Sequence, residues 1–181
     1  AKPFLRINHT ATKALVIAGA SHEYVYESSS DAPITNNIYL RDKSGAGLVN
    51  AENSIEIALS SLYTSVQFPV GSYSSNMPDI DPCGEFTVPA GKKARLVMTF
   101  SKLDRTEVPV TGLTDNVDFA VYNNNTDALV TWTFDIYNNV EIVELDVTQT
   151  TPFYIVASLP SFVPRSSGSL LTVSFACMLI D

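Results

Sequence analysis

Ala94 to Phe100 reads ARLVMTF, and its alternation decides the fold class. Successive side chains of an extended strand point to opposite faces, so Ala94, Leu96, Met98 and Phe100 share one face and Arg95, Val97 and Thr99 the other. Val117–Tyr122 repeats the pattern, with Val117, Phe119 and Val121 directed to a core and Asp118 and Tyr122 away from it. Around these runs lie Glu85–Pro89, Ala128–Phe134, Val140–Val147, Phe153–Ala157 and Leu170–Met178, each short and alternating or apolar. Turn signals separate them at Pro89-Ala90-Gly91, Thr111-Gly112, Asn123-Asn124-Asn125, Tyr137-Asn138-Asn139 and Arg165–Gly168. Seven or eight strands at this spacing, in roughly a hundred residues, predict a mainly β chain folded as an antiparallel jelly-roll β-sandwich.

Upstream the period changes from 2 to 3.6. Thr10, Ala14, Leu15, Val16, Ile17 and Ala18 make an almost wholly apolar helix over about 10–20, with Asn8 or Thr10 as its N-cap. A helix apolar on nearly every side requires a larger body to bury it, and residues 1–78 offer little else of that kind. A second helix over 51–62 places Ile55, Ala58, Leu59 and Leu62 on one stripe, with Glu52 and Glu56 facing out and Asn50 capping the first turn. These lengths divide the chain into a first part at 1–70, a linker at 71–80 and a sandwich at 81–181.

The composition limits the partners. Hydrophobic residues make up 45% and charged residues 17% of 181 positions, enough apolar material for a core. No apolar run reaches the roughly 18 residues that span a membrane, so no membrane span is expected. The net charge is −8, of which residues 1–78 carry −1 and residues 79–181 carry −7. An acidic module repels phosphate backbones, which excludes nucleic acid as the expected partner. The two cysteines, Cys83 and Cys177, have no metal-ligand spacing. Cys83 precedes the first strand assigned in the sandwich and Cys177 lies in the last, and first and last jelly-roll strands lie close together. A Cys83–Cys177 disulfide, worth on the order of 4 kcal/mol in the chain-entropy model, is therefore one expectation, and two buried thiols are the other.

Three stretches, in order, carry a family resemblance. Lys13–Ala20 (KALVIAGA) resembles the helix that follows the nucleophile helix of subtilisin-like serine proteases. Gly45–Ala51 (GAGLVNA) is similar to the glycine-rich lead into the last helix of that catalytic domain. Asn116–Tyr122 (NVDFAVY), Thr131–Phe134, Asn138–Leu145 (NNVEIVEL) and Phe153–Val156 are similar to the C-terminal β-domain of the bacterial enzymes, with Asn116 where that family often has Asp. The resemblance implies a short helical segment that completes a subtilisin-like α/β domain, followed by a jelly-roll (pre-peptidase C-terminal-like) domain. It further implies a secreted or cell-surface protein of bacterial type. The implied partners are the protease's catalytic body and protein substrates, and the implied role of the sandwich is to stabilise the protease or assist substrate binding.

The chain holds no triad of its own. The family's nucleophile sits in a Gly-Thr-Ser turn, which does not occur here, and the histidines are His9 and His22. Ser21-His22-Glu23 are adjacent in the chain, whereas a nucleophile, base and orienting group must converge from separate elements. Hence no catalytic residue is assigned, and any endopeptidase activity belongs to the parent protein.

Two binding chemistries remain. Asp115, Asp118, Asp135, Asn138, Asn139 and Glu141 cluster along the loops and strands of the β motif, and hard oxygens from neighbouring loops are what Ca2+ takes. The same residue types also favour turns for backbone reasons alone. Tyr122, Trp132, Phe134, Tyr137, Phe153 and Tyr154 supply the ring faces on which sugars stack. Alternation puts Trp132 and Phe134 on one side of their strand, and the expectation is that this side is core. The rival to the protease reading is accordingly a stand-alone β-sandwich binding module for carbohydrate or a cell-surface protein.

Overall fold

The computed structural model describes residues 8–20, 49–60, 62–69, 79–100, 116–133, 140–161 and 170–180. Helices α1 (His9–Ala18) and α2 (Ala51–Ser60) precede strands β1 (Tyr63–Pro69), β2 (Asp79–Val88), β3 (Lys93–Phe100) and β4 (Asn116–Asn123). Strands β5 (Ala128–Thr133), β6 (Val140–Asp146), β7 (Thr151–Ser161) and β8 (Leu170–Ile180) follow. One sheet has the order β1-β8-β3-β6 and the other β2-β7-β4-β5. The pairs β1:β8, β2:β7, β3:β6 and β4:β5 are all antiparallel, so the chain is one long hairpin wound on itself. This is a jelly roll, and the expected fold class holds.

The alternation read in the sequence is the one observed. Ala94, Leu96, Met98 and Phe100 enter the core between the sheets, as do Val117, Phe119 and Val121 from β4. Phe119 of one sheet meets Phe175 of the other edge-to-face at 5.6 Å, and Phe86 stacks on Phe153 within its own sheet at 5.5 Å. The turn Pro89–Lys92 joins β2 to β3 with Gly91 at φ 73°, a left-handed conformation in which a β-carbon is strained.

Tyr63–Pro69 is a strand that the sequence reading did not assign. It pairs with β8 along its whole length, so the sandwich begins within the stretch 1–70 and not at 81. The helices also belong here. α1 lies on the outer face of the β1-β8-β3-β6 sheet and buries Ala11, Ala14, Leu15 and Ala18, spaced three and four residues apart. Ala14, Leu15 and Ala18 meet Val97 and Ala176 there, with Ile142 and Met178 packed alongside. The body that an apolar α1 requires is thus the sandwich itself. The molecule has a helix layer and two sheets, and the outer face of the β2-β7-β4-β5 sheet is the one without a helix among the described residues.

Polar contacts fix α1 at both ends. Asn8 caps it, its Oδ1 accepting from the Ala11 amide at 2.9 Å. Arg95 is 6% exposed, donates to the Ala20 carbonyl at 2.7 Å and pairs with Glu144 at 3.0 Å. Thr99 donates to the Thr10 carbonyl at 2.7 Å. Arg95, Val97 and Thr99, three of the four outer residues of β3, therefore hold α1 in place.

α2 is turned differently from the expectation. Asn50 does cap it, accepting from the Asn53 amide at 3.1 Å. However, Ile57 is the buried residue, while Ile55 and Leu59 are 58% and 74% exposed. The cause is the close crossing of the two helices. A β-carbon on Gly19 would stand 2.7 Å from the Ser54 amide nitrogen, so α1 admits only the Asn53–Ser54 side of α2 at that point. The Asn53 side-chain amide donates to the Gly19 carbonyl at 3.0 Å and holds this orientation.

Candidate functional site: the open face of the second sheet

Strand alternation builds this face. β4 sends Val117, Phe119 and Val121 inward and so presents Asp118, Ala120 and Tyr122 outward. β7 sends Phe153, Ile155 and Ala157 inward and presents Tyr154, Val156 and Ser158. The register then aligns Glu85, Tyr154, Tyr122 and Leu129 across the four strands, with Val156, Ala120 and Trp132 in the next row. Cross-strand partners share a face, so these side chains form one surface.

The rings are ordered. Tyr122 and Tyr154 stack at 5.2 Å with their planes 13° apart. The Tyr154 hydroxyl donates to Asp127 Oδ1. Asp127 ends the turn between β4 and β5 at φ 58°, a left-handed position that Asp tolerates better than most residues. Its amide donates to the Asn123 carbonyl at 2.8 Å, and Asn123 Oδ1 accepts from the Asn125 amide at 2.9 Å. The asparagine-rich turn thereby delivers a carboxylate to the edge of the tyrosine pair.

Trp132 is 58% exposed, with Leu129 at 52% and Val130 at 45%. The expectation that Trp132 faces the core is corrected. It pairs with Ala120, an outward residue, and β5 is an edge strand whose register shifts between Val121 and Tyr122. Phe153 takes the opposite course and is buried in the core. Phe134 and Tyr137 lie outside the described residues.

The other candidate residues do not join this face as a group. Asp118 is half-buried on the outer side of β4, whereas Glu141 is 3% exposed on β6 of the other sheet, in line with the inward residues Val143 and Leu145. Asp115, Asp135 and Asn138 of the calcium set lie outside the described residues, and so does Asn139. Among the described residues no three His, Cys, Asp or Glu side chains are placed to hold a metal ion.

Cys83 and Cys177 are separate buried thiols, not a disulfide. The expected bridge assumed that the strand of Cys83 is the first of the roll. The first strand is instead β1, which takes the place beside β8, and Cys83 lies on β2 in the opposite sheet. Burial pushes the Cys177 thiol up to about 12. Cys177 also lines a cavity of about 40 Å³ with Leu62, Phe86, Leu96 and Phe175. Organic ligands need roughly 300 Å³ or more, so this cavity is a packing gap.

His9 is exposed in the first turn of α1. Ser21, His22 and Glu23 lie outside the described residues. No helix among the described residues is long and apolar enough to cross a membrane. No protein family matches this chain, and no curated protein matches it either.

Proposed function

We propose that this chain is the non-catalytic C-terminal part of a secreted or surface subtilisin-like serine endopeptidase of bacterial type, whose jelly roll stabilises the protease or assists protein-substrate binding. The observation that carries this reading is the outward stripe of α2. Ile55 and Leu59 of α2 are 58% and 74% exposed, and Val49 just ahead of it is 72% exposed, in and directly after the Gly45–Ala51 stretch whose sequence resembles the lead into the closing helix of that catalytic domain. An apolar stripe on a helix end that already packs on α1 is the surface through which a catalytic body would be joined.

The test is to isolate the natural polypeptide without denaturant, measure its native mass and label it with a fluorophosphonate serine-hydrolase probe. The expected result is a species well above 19.7 kDa, labelled on sequence other than these 181 residues. A lone, unlabelled 19.7 kDa protein would remove the protease reading.

A second reading, a β-sandwich binding module for carbohydrate or a cell-surface protein, is favoured by one specific observation. Trp132 is exposed beside a stacked tyrosine pair on the sheet face opposite the helices.

A further inference from the structure

We propose that the outer face of the β2-β7-β4-β5 sheet is a platform for neutral polysaccharide, centred on Trp132, Tyr122 and Tyr154 and oriented by Asp127 and Glu85. This rests on the binding reading of the face and is independent of the protease reading.

The chemistry of the face selects the ligand. Aromatic faces carry the negative side of the ring quadrupole and attract weakly positive C–H groups. A pyranose whose hydroxyls are all equatorial presents only C–H groups on its ring faces and its hydroxyls at the rim. Here Trp132 and Leu129 are both more than half exposed, and Glu85 lies across the Tyr154–Tyr122 pair from Leu129. Asp127 sits beside Tyr154 at the end of the turn. Carboxylates accept hydrogen bonds from sugar hydroxyls at such a rim.

Charge narrows the class. No Lys or Arg is among the described outward residues of this face, while Asp118, Glu85 and Asp127 are acidic. Phosphate, sulfate or uronate chains meet like charge there, and an uncharged glycan does not.

Trp132 is the single tryptophan of the chain, so intrinsic fluorescence reads this face directly. Cellohexaose and chitohexaose serve as probes, and a (Pro-Pro-Gly)10 peptide as the competing class. The expected result is a saturable blue shift and intensity change with at least one hexasaccharide and none with the peptide. Tyr122→Ala and Asp127→Gly should each weaken binding by roughly tenfold or more, a loss of about 1.4 kcal/mol. Calorimetry on Trp132→Ala, an exposed position, should show no binding. Asp127→Gly relieves the backbone while removing the carboxylate, so a folding failure does not account for its loss of affinity. A response to the peptide alone would overturn the glycan assignment while leaving the face as a binding surface. No response to any probe at about 10 mM, a concentration above even millimolar dissociation constants, would overturn both. A response unchanged by Tyr122→Ala would also overturn the assignment.

Discussion

Cys177 shows how position in the roll sets chemistry. Its thiol is 3% exposed on the inner side of β8 and is held protonated by burial, up to about 12 against an ordinary value of 9.0. Between these values the unfolded chain releases the proton and the folded chain keeps it, so the unfolded state binds fewer protons. Stability from this group is therefore fully present below pH 9.0 and is lost as pH rises toward about 12. Denaturant melts at pH 8 and pH 10.5 should show the lower stability at the higher pH, and Cys177→Ala should flatten that difference. In the native protein neither Cys83 nor Cys177 should react with an aromatic disulfide reagent, and both should react after unfolding without reductant. Zero reactive thiols in the unfolded chain would restore the disulfide. The outward direction of Trp132 was not legible. The register shift of β5 puts Leu129 and Trp132, three residues apart, on one outer face, which breaks period 2, and an edge position is a property of the partner strands.

At the scale of elements, α1 is closed onto the sheet by a ring of hydrogen bonds. The Thr10 hydroxyl donates to Asn8 Oδ1 at 2.8 Å. A hydroxyl has one proton, so in the 2.6 Å contact between Thr10 and Ser174 the donor is Ser174. By the same count Ser65 donates to Ser174 at 2.7 Å, and the Asn8 amide donates to Ser65 at 3.1 Å and closes the ring. One residue before α1, one in it, one in β1 and one in β8 are thus joined in a single circuit, each hydroxyl donating once and accepting once. Ser174→Ala should cost about 1–3 kcal/mol, because it strips a partner from both Thr10 and Ser65 while Ser174 itself is fully buried. Its effect should be less than additive with Asn8→Ala, since both open the same ring; strict additivity in denaturant melts would contradict the circuit. The helix spans were readable from caps and periodicity to within two residues. β1 was not. Its inward residues Val66 and Phe68 are a short signal, and the helical pattern ran on through Leu62 into it. Nor was the rotation of α2 readable, since the Gly19–Ser54 crossing that sets it joins positions 35 residues apart.

The whole molecule has two surfaces with different prospects, at opposite ends of its layer order. On the helix side, α2 leaves Ile55 and Leu59 uncovered beside Glu52 and Glu56. On the sheet side, Trp132 and the tyrosine pair stand clear of both helices. The jelly roll was legible because its strands are short alternating or apolar runs divided by turn residues. The three-layer arrangement was not, because Arg95, Val97 and Thr99 read as an outward face in sequence and become a buried one only when α1 covers them. The proposed seat of a protease body is the open stripe of α2. Hydrogen exchange of residues 51–60 tests it most directly, measured in the native species isolated without denaturant and in the 181-residue chain alone. The α2 amides should exchange roughly tenfold or more slowly in the native species, with β5 unchanged between the two. Equal exchange of α2 in both samples would contradict it.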